Sequence, residues 1–153
     1  MHKSLKLVPF ALAFLSLTAS ATVKTLCEAN ENNVWSCQAG KKIYSLCASK
    51  NLARATGYLQ YRAGTSKSID LRYPAGLTHP KNFFEFSLLA HGASVSFSNG
   101  GYSYSISEDL KDGTVINVEK SQKLLATIKC SEATNSLTEN STIDLLTAAG
   151  IAD

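Results

Sequence analysis

From residue 34 onward, short stretches of alternating apolar and polar residues are separated by residues that favour turns. A two-residue period points successive side chains to opposite faces of an extended chain, and it therefore predicts half-buried β-strands. The stretches are 34–37, 43–47, 58–62, 69–73, 83–89, 93–98, 102–106, 115–118 and 124–129. Because no helix long enough for a parallel crossover lies between them, we predict an all-β fold, an antiparallel β-sandwich or small barrel of about eight to nine short strands.

The clearest local signal is a hairpin around Asn99-Gly100. Asn-Gly favours a two-residue hairpin loop because both central residues tolerate positive φ. With that loop, Phe97 faces Tyr102 on one side of the sheet, and serines oppose serines on the other. A loop at Gly100-Gly101 keeps the same alternation, whereas a three-residue loop would set apolar residues against serines.

The chain after Cys130 changes composition and becomes rich in Ser, Thr, Asn and Glu. Residues 141–144 resemble a capping box, and Gly150 is a candidate helix stop. We therefore divide the chain into a leader at 1–21, a disulfide-bonded β domain at 22–130, and a polar connector with a short helix or tail at 131–153.

The start of the chain has the composition of a cleavable signal peptide. Lys3 and Lys6 give a basic start, residues 7–19 are mostly apolar, and Ala19 and Ala21 occupy the two positions that a signal peptidase reads. The apolar run of 13 residues is shorter than the roughly 20 that span a bilayer. We predict cleavage after Ala21, a periplasmic or secreted location, and no stable membrane anchor after cleavage.

Removal of this leader changes the charge balance. The whole chain has 15 basic and 12 acidic residues, and the loss of Lys3 and Lys6 leaves 13 against 12, a net charge of about +1. A nucleic-acid-binding domain is expected to carry a clustered basic face. Arg54, Arg62 and Arg72 are dispersed along the sequence, so we expect no nucleic-acid partner.

Four cysteines follow the leader: Cys27, Cys37, Cys47 and Cys130. An even number in an exported chain predicts two disulfides, and the close paired spacing of zinc sites is missing, so no metal is expected. We favour Cys37–Cys47 with Cys27–Cys130, because the second bond would join the ends of the domain. A tight turn at 38–41 would instead place Cys47 opposite a residue near Asn32, so the sequence leaves the three possible pairings open.

No catalytic signature is present in the sequence. The serines lack the G-x-S-x-G elbow, and His79 and His91 have no close acidic neighbours in sequence. Glu108, Asp109 and Asp112 offer oxygens for calcium, but their spacing differs from an EF-hand and favours an ordinary acidic turn. We predict no catalytic residues and no cofactor.

The hairpin tip is the first candidate binding surface; it comprises Ser98, Asn99, Gly100, Gly101 and Tyr102. A rigidly held tyrosine offers a large contact area at a small entropic cost. The competing interpretation is that Tyr102 packs into the core.

The second candidate surface is the polar face of the strands at 58–62 and 69–73, where Arg62 and Arg72 would be exposed. The competing interpretation is that Arg62 and Asp70 form an ordinary cross-strand ion pair on a solvated face.

Four segments of the chain carry a resemblance to known proteins. They are 34–37 (VWSC), 42–49 (KIYSLCAS), 57–62 (GYLQYR) and 97–102 (FSNGGY). They resemble a family of small exported bacterial cysteine-containing β proteins over most of the chain up to Cys130, although that family has a bulky aromatic residue in place of Ala63. The resemblance implies a periplasmic or secreted setting, and it supplies neither an activity nor site residues.

In architecture, the chain is also similar to periplasmic lysozyme inhibitors, which insert a loop bearing Ser and Tyr into the enzyme cleft; a shared fold does not establish a shared function. Our leading hypothesis is an exported non-enzymatic binding protein, an inhibitor or immunity-type protein directed at a cell-wall hydrolase or toxin. The alternative is a module for envelope glycans or small ligands, which predicts aromatic residues on a concave surface. A carboxylate-dependent hydrolase, the third hypothesis, predicts two acidic side chains converging in a cleft.

Overall fold

In the computed structural model, residues 24–152 are described, and the predicted leader and its cleavage site lie outside them. Within this range the chain forms ten strands and one short helix. In chain order these are β1 Glu31–Ala39, β2 Lys42–Ser49, β3 Leu59–Gly64, β4 Ile69–Tyr73, β5 Glu85–Leu89, β6 Gly92–Asn99, β7 Tyr102–Asp109, β8 Gly113–Lys120, β9 Lys123–Lys129, β10 Glu132–Thr134 and α1 Asn140–Ala148.

The strands form two antiparallel sheets of five strands each. The first sheet has the order β10-β1-β2-β3-β4 and the second has the order β5-β6-β7-β8-β9. The predicted all-β fold is confirmed, and the two open sheets make it a sandwich rather than a closed barrel.

The β6–β7 hairpin has the predicted alternation, with its loop one residue further along the chain. Its loop residues are Gly100 and Gly101, with φ of 59° and 80°, and Phe97 is paired with Tyr104. Glycine adopts positive φ at both loop positions without steric cost, so the Gly100-Gly101 pair fits this two-residue loop. Ser98 opposes Ser103, so serines oppose serines as predicted.

The core lies between the inner faces of the two sheets. Trp35, Leu46 and Tyr61 are neighbours across β1, β2 and β3 and therefore share one face of the first sheet. The Tyr61 ring lies 4.9 Å from the ring of Phe97 in the second sheet, centroid to centroid. This contact identifies the inner face, and the buried Ile106 of β7 belongs to the same core.

The predicted disulfide pairing, Cys37–Cys47 and Cys27–Cys130, is wrong: the bonds are Cys27–Cys47 and Cys37–Cys130. In the β1–β2 hairpin, Cys37 lies opposite Tyr44 and Cys47 lies opposite a residue of the other face. Their side chains therefore point to opposite faces of the first sheet and cannot meet. Cys37 reaches across the core to the end of β9, and Cys47 bonds to the chain segment on the outside.

That segment, residues 24–30, is called the strap here. It crosses the outer face of the first sheet, where the Cys27–Cys47 bond holds it with a Cα–Cα distance of 5.2 Å. The Leu26 amide donates to Ser45 Oγ at 3.0 Å, and Leu26 O accepts from Arg62 Nη1 at 2.9 Å. The second sheet consequently covers the inner face of the first sheet, and the strap covers part of its outer face.

The polar segment after Cys130 is part of the sandwich. Strand β10 extends the first sheet, with Ala133 opposite Cys37, and Leu146 of α1 is fully buried in the common core. The helix begins after Glu139, whose side chain makes no capping hydrogen bond, so the predicted capping box does not form. Gly150 has φ of 72° just beyond the helix, as expected of a stop.

The two disulfides indicate an oxidising, extracellular-type environment. Among residues 24–152, no helix combines the length and hydropathy required to cross a membrane.

Candidate functional site

A cleft with a volume of about 600 Å³ lies along the second sheet, which is within the range of ordinary ligand sites. We call it the serine cleft. It is lined by two rows of polar side chains that the register of β6, β7 and β8 brings side by side. The rows are Ser96, Ser105 and Asn117, and Ser98, Ser103 and Glu119.

These rows lie on the outer face of the second sheet because the residues between them, such as Phe97 and Tyr104, point inward. Ser98 and Ser103 are exposed. Each serine hydroxyl can both donate and accept a hydrogen bond. The two rows therefore form a surface of hydrogen-bonding side chains in which Glu119 is the one charged residue, and adjacent side chains of a row are separated by the distance between neighbouring strands.

Five aromatic residues, Tyr73, Phe83, Phe84, Phe97 and Tyr104, also border this cleft, and the rings of Phe97 and Tyr104 among them point into the core. Tyr73 stacks on Phe97, and Phe97 stacks on Tyr104, each pair with ring centroids 4.7 Å apart. Phe83 contacts Tyr73 edge-on at 6.1 Å and is 37 % exposed, whereas Phe84 is buried. Phe83 is thus the aromatic ring of this group that is most accessible to a ligand.

The remaining wall is formed by the chain before β5 and by the end of the described chain. Lys81 comes from the first of these segments and Ile151 from the second, and Glu85 is the first residue of β5. The Phe86 amide donates to Ile151 O at 2.7 Å, which adds the C-terminal segment to the edge of β5. Lys81, Glu85 and Glu119 are the charged residues of the lining.

The hairpin tip predicted as a binding surface adjoins the serine cleft. A side chain built at Gly100 or Gly101 would meet no atom within 4 Å, so the tip projects into open space. Ser98 belongs to both the tip and the cleft, and Asn99 is half-buried. Tyr102 is also half-buried, with Lys120 Nζ lying 4.8 Å from its ring centroid.

Arg62, predicted to be exposed, is instead buried under the strap. It forms an ion pair with Glu31, and its side chain is 4 % exposed. Its Nε also donates to Gln60 Oε1 at 2.8 Å. The expected partner Asp70 pairs with Lys42. The predicted exposure of Arg62 and its predicted ion pair with Asp70 are therefore both wrong. The strap that covers Arg62 is distant from it in sequence, and no local pattern predicts that the strap lies on this face.

Hydrogen bonding sets the ionisation of this buried group. Burial acts to raise the pKa of Glu31, but hydrogen bonds from Arg62, the Glu28 amide and Tyr58 outweigh it and lower the pKa. The hydrogen bond from Tyr58 to the Glu31 carboxylate, together with burial, raises the pKa of Tyr58 to about 12. The group is a structural anchor for the strap.

Arg72 is exposed and lies opposite Arg62 in the β3–β4 register. The two predicted arginines therefore differ in environment although they are neighbours. Arg72 lines a separate cleft, on the outer face of the first sheet, together with Lys24 and Lys67.

Two carboxylates of the acidic turn, those of Glu108 and Asp109, accept hydrogen bonds from within the protein. Glu108 accepts a hydrogen bond from the Leu137 amide at 3.0 Å, and Asp109 accepts one from the Lys111 amide at 2.8 Å. The Asp112 amide also donates to Asp109, at 3.1 Å, and the hydrogen bonds from the Lys111 and Asp112 amides lower the pKa of Asp109. His79 Nε2 lies 2.8 Å from Ala53 O, a tether between two loops.

Ligand atoms of Cys27, Glu31 and Cys47 lie within 4.8 Å of one another, but both sulfurs belong to a disulfide. A disulfide sulfur is not a thiolate, and thiolate is the form that binds metal. This group therefore has no cysteine ligand to offer while the bond is intact.

The carboxylates of the serine cleft do not fit a glycosidase pair. Glu85 is on β5 and Glu119 is on β8, so three strand spacings, roughly 14 Å, separate their backbones. Glycosidase carboxyl groups are roughly 5–9.5 Å apart. Their placement does not favour the hydrolase hypothesis.

Tyr73, Phe83 and Phe84 were not predicted from the sequence to belong to a site. The signal that was available is the adjacent aromatic pair Phe83-Phe84 shortly after Pro80, at the start of a predicted strand. Comparison of the chain with protein-family models, curated proteins and solved structures gave no significant match. Function must therefore be argued from the geometry of the clefts.

Proposed function

We propose that the protein is an exported, non-enzymatic binding protein that takes an envelope glycan, or a similar polyhydroxylated ligand, in the serine cleft. The observation that carries this proposal is the joint lining of the cleft by hydroxyl rows and by the accessible ring of Phe83. A concave surface with aromatic residues is what the glycan hypothesis predicts from the sequence.

The chemistry of the lining suits a sugar. A pyranose presents hydroxyl groups around its edge and C–H groups on its faces. Ser98 and Ser103 can exchange hydrogen bonds with the hydroxyl groups, directly or through water. The Phe83 ring can cover a C–H face, which buries apolar area with little loss of side-chain freedom. Asn117 already accepts a hydrogen bond from Thr127 at 2.8 Å, which fixes its amide.

The test is calorimetric titration of the mature protein with soluble peptidoglycan fragments and with oligosaccharides of N-acetylglucosamine. We expect saturable binding, and a dissociation constant about 3- to 10-fold larger for Phe83→Ala. Glu119→Gln tests the charged end of the cleft. Leu77→Ala is the matched control, because Leu77 is 59 % exposed and lies outside the cleft lining.

The proposal is overturned if none of these glycans binds saturably. It is also overturned if Phe83→Ala, Glu119→Gln and Leu77→Ala all bind as the unaltered protein does, since the ligand would then lie elsewhere.

A second candidate function is inhibition of a cell-wall hydrolase by the hairpin tip. The observation that favours it is the open projection of Gly100 and Gly101 beside the half-buried Tyr102. A tip that projects in this way offers its side chains to the cleft of a partner enzyme. A panel of lysozymes tests this function: inhibition by the unaltered protein that is lost in Tyr102→Ala supports it.

Two variants distinguish glycan binding from hydrolase inhibition. Phe83→Ala is expected to weaken glycan binding without changing inhibition, and Tyr102→Ala the reverse. If no hydrolase is retained by the immobilised protein or slowed by it, the inhibitor function is dropped. Export is tested separately, by mass spectrometry of the protein from its native host: we expect a mature chain starting at Thr22.

A further inference from the structure

A second cleft, distinct from the serine cleft, lies on the outer face of the first sheet between the strap and the β3–β4 turn. It has a volume of about 600 Å³, and we call it the basic cleft. Its polar lining is Lys24, Thr25, Thr65, Ser66, Lys67, Ser68 and Arg72.

The charge of this lining is of one sign. Lys24, Lys67 and Arg72 supply three cations, and the lining contains no carboxylate. Within residues 24–152, none of these three side chains forms an ion pair or a side-chain hydrogen bond, whereas Lys42 pairs with Asp70. Convergent cations in one concavity raise the local concentration of anions.

The basic cleft is held in shape on both sides. On one side, Thr65 Oγ1 accepts hydrogen bonds from the amides of Lys67 and Ser68, each at 3.3 Å. The Thr65 amide in turn donates to Ser68 O at 2.7 Å, which closes the turn. On the other side, the disulfide from Cys27 to Cys47 fixes the strap. A ligand that enters would meet walls that are already formed.

We propose that the basic cleft is a binding site for a tetrahedral oxyanion, a phosphoryl group in particular. The Arg72 guanidinium offers a planar fork that fits two oxygens of a phosphoryl group, and Lys24 and Lys67 act as point charges. The hydroxyls of Ser66 and Ser68 provide further donors. A phosphoryl group carries the negative charge that would balance these three cations, which form no ion pair within residues 24–152.

This inference does not depend on glycan binding in the serine cleft, because it uses the other sheet and another ligand chemistry. A phosphoryl group reaches such a site either as a small phosphate ester or as part of an anionic polymer or lipid surface. The two sources share their chemistry at the site, and they differ in size, so the experiment includes both.

The experiment is an amide NMR titration of the mature protein with inorganic phosphate at low ionic strength. A chloride titration at matched ionic strength accounts for non-specific screening. We expect saturable shifts at the amides of Lys67 and Ser68. The dissociation constant should rise at least tenfold in Lys67→Ala and in Arg72→Ala. Lys123→Ala is the matched control, because Lys123 is an exposed lysine on the other sheet.

Two further arms identify the source. Glycerol phosphate represents a small ester, and vesicles containing phosphatidylglycerol represent a surface. Binding of the vesicles but not of glycerol phosphate would show that the site binds an anionic lipid surface. Binding of glycerol phosphate but not of the vesicles would show that it binds a small phosphate ester. In both cases Arg72→Ala must weaken the binding.

The proposal is overturned if phosphate produces only the linear shifts that chloride produces. It is also overturned if Lys67→Ala and Arg72→Ala bind as Lys123→Ala does. Phe83→Ala should bind phosphate normally, so failure of this proposal and failure of glycan binding are distinguishable.

Discussion

Arg62 and Glu31 form a bidentate ion pair beneath the strap. Arg62 Nη1 donates to Glu31 Oε2 at 2.7 Å and Nη2 donates to Oε1 at 2.6 Å. The two side chains are 4 % and 1 % exposed. An ion pair removed from water in this way is costly to break, because loss of one partner leaves the other charge buried without compensation.

We therefore expect Arg62→Met to lower the free energy of unfolding by about 3–5 kcal/mol, measured by chemical denaturation. Arg72→Met is the matched control. Arg72 lies opposite Arg62 in the register but is exposed, so its replacement should change the free energy by no more than about 0.5 kcal/mol.

The double variant Glu31→Leu/Arg62→Met distinguishes an unpaired charge from simple loss of packing. Because it removes both charges, we expect it to be more stable than Arg62→Met alone. A double variant that is less stable than either single variant would contradict this account. Should Arg62→Met fail to fold, recovery of a folded protein by the double variant would give the same answer.

The lowered pKa of Glu31 predicts a contribution to acid sensitivity. Its folded-state pKa lies below the ordinary value of 4.5, so folding favours the carboxylate. The corresponding stability is fully present above about pH 4.5 and is lost as the pH falls through the folded-state pKa. Thermal unfolding at pH values from 6 to 2 should show a steeper decline for the unaltered protein than for Glu31→Gln. Parallel curves would contradict the prediction.

Tyr58 predicts the opposite pH dependence. Its pKa rises from the ordinary 10.0 to about 12 on folding, so folding favours the neutral phenol. The associated stability is present below about pH 10 and is lost as the pH rises towards 12. Tyr58→Phe should therefore lose less stability than the unaltered protein between pH 9 and 11. An ultraviolet titration of the two proteins should show one late-titrating tyrosine fewer in the variant.

Gly92 provides a steric test of the packing between β6 and β7. A Cβ atom at this position would lie 1.9 Å from the backbone oxygen of Glu108. That contact cannot be relieved by a side-chain rotation, so we expect Gly92→Ala to lower the free energy of unfolding by about 2 kcal/mol or more. Gly76→Ala is the control, since the nearest atom to its new Cβ would be Thr78 Cγ2 at 3.9 Å. Equal stability of the two variants would contradict the strand geometry at Gly92.

The features that the sequence predicted are those decided by local chain geometry. The alternation around Phe97 and Tyr104 needs only the two-residue period of a strand and a two-glycine loop, so the pairing of serines followed without knowledge of the rest of the fold. The sandwich followed in the same way from many short alternating stretches.

The features that were missed depend on contacts between distant parts of the chain. The strap covers Arg62 from 36 residues away, through Leu26. Strand β10 pairs Thr134 with Ser36. Neither contact has a signature in the nearby sequence. The aromatic lining of the serine cleft was missed for the same reason, because Tyr73 and Phe83 meet only after two sheets have formed.

The two disulfides are predicted to differ in their effect on stability. Cys27–Cys47 closes a loop with a sequence separation of 20, and Cys37–Cys130 one of 93. If restriction of the unfolded chain dominates, the bonds contribute about 3 and about 5 kcal/mol respectively. Replacing Cys37 and Cys130 by alanine should then destabilise the protein more than replacing Cys27 and Cys47, as judged by chemical denaturation.

For phosphate binding, we expect the opposite order: loss of Cys27–Cys47 should have the larger effect. Loss of Cys27–Cys47 releases the strap, one wall of the basic cleft, so phosphate binding should weaken even where the sandwich stays folded. Loss of Cys37–Cys130 removes the covalent bond between β1 and the end of β9 but leaves the strap attached. Phosphate binding should therefore persist at denaturant concentrations below the midpoint of unfolding. Equal phosphate affinity in both folded variants would show that the strap is not a wall of the site.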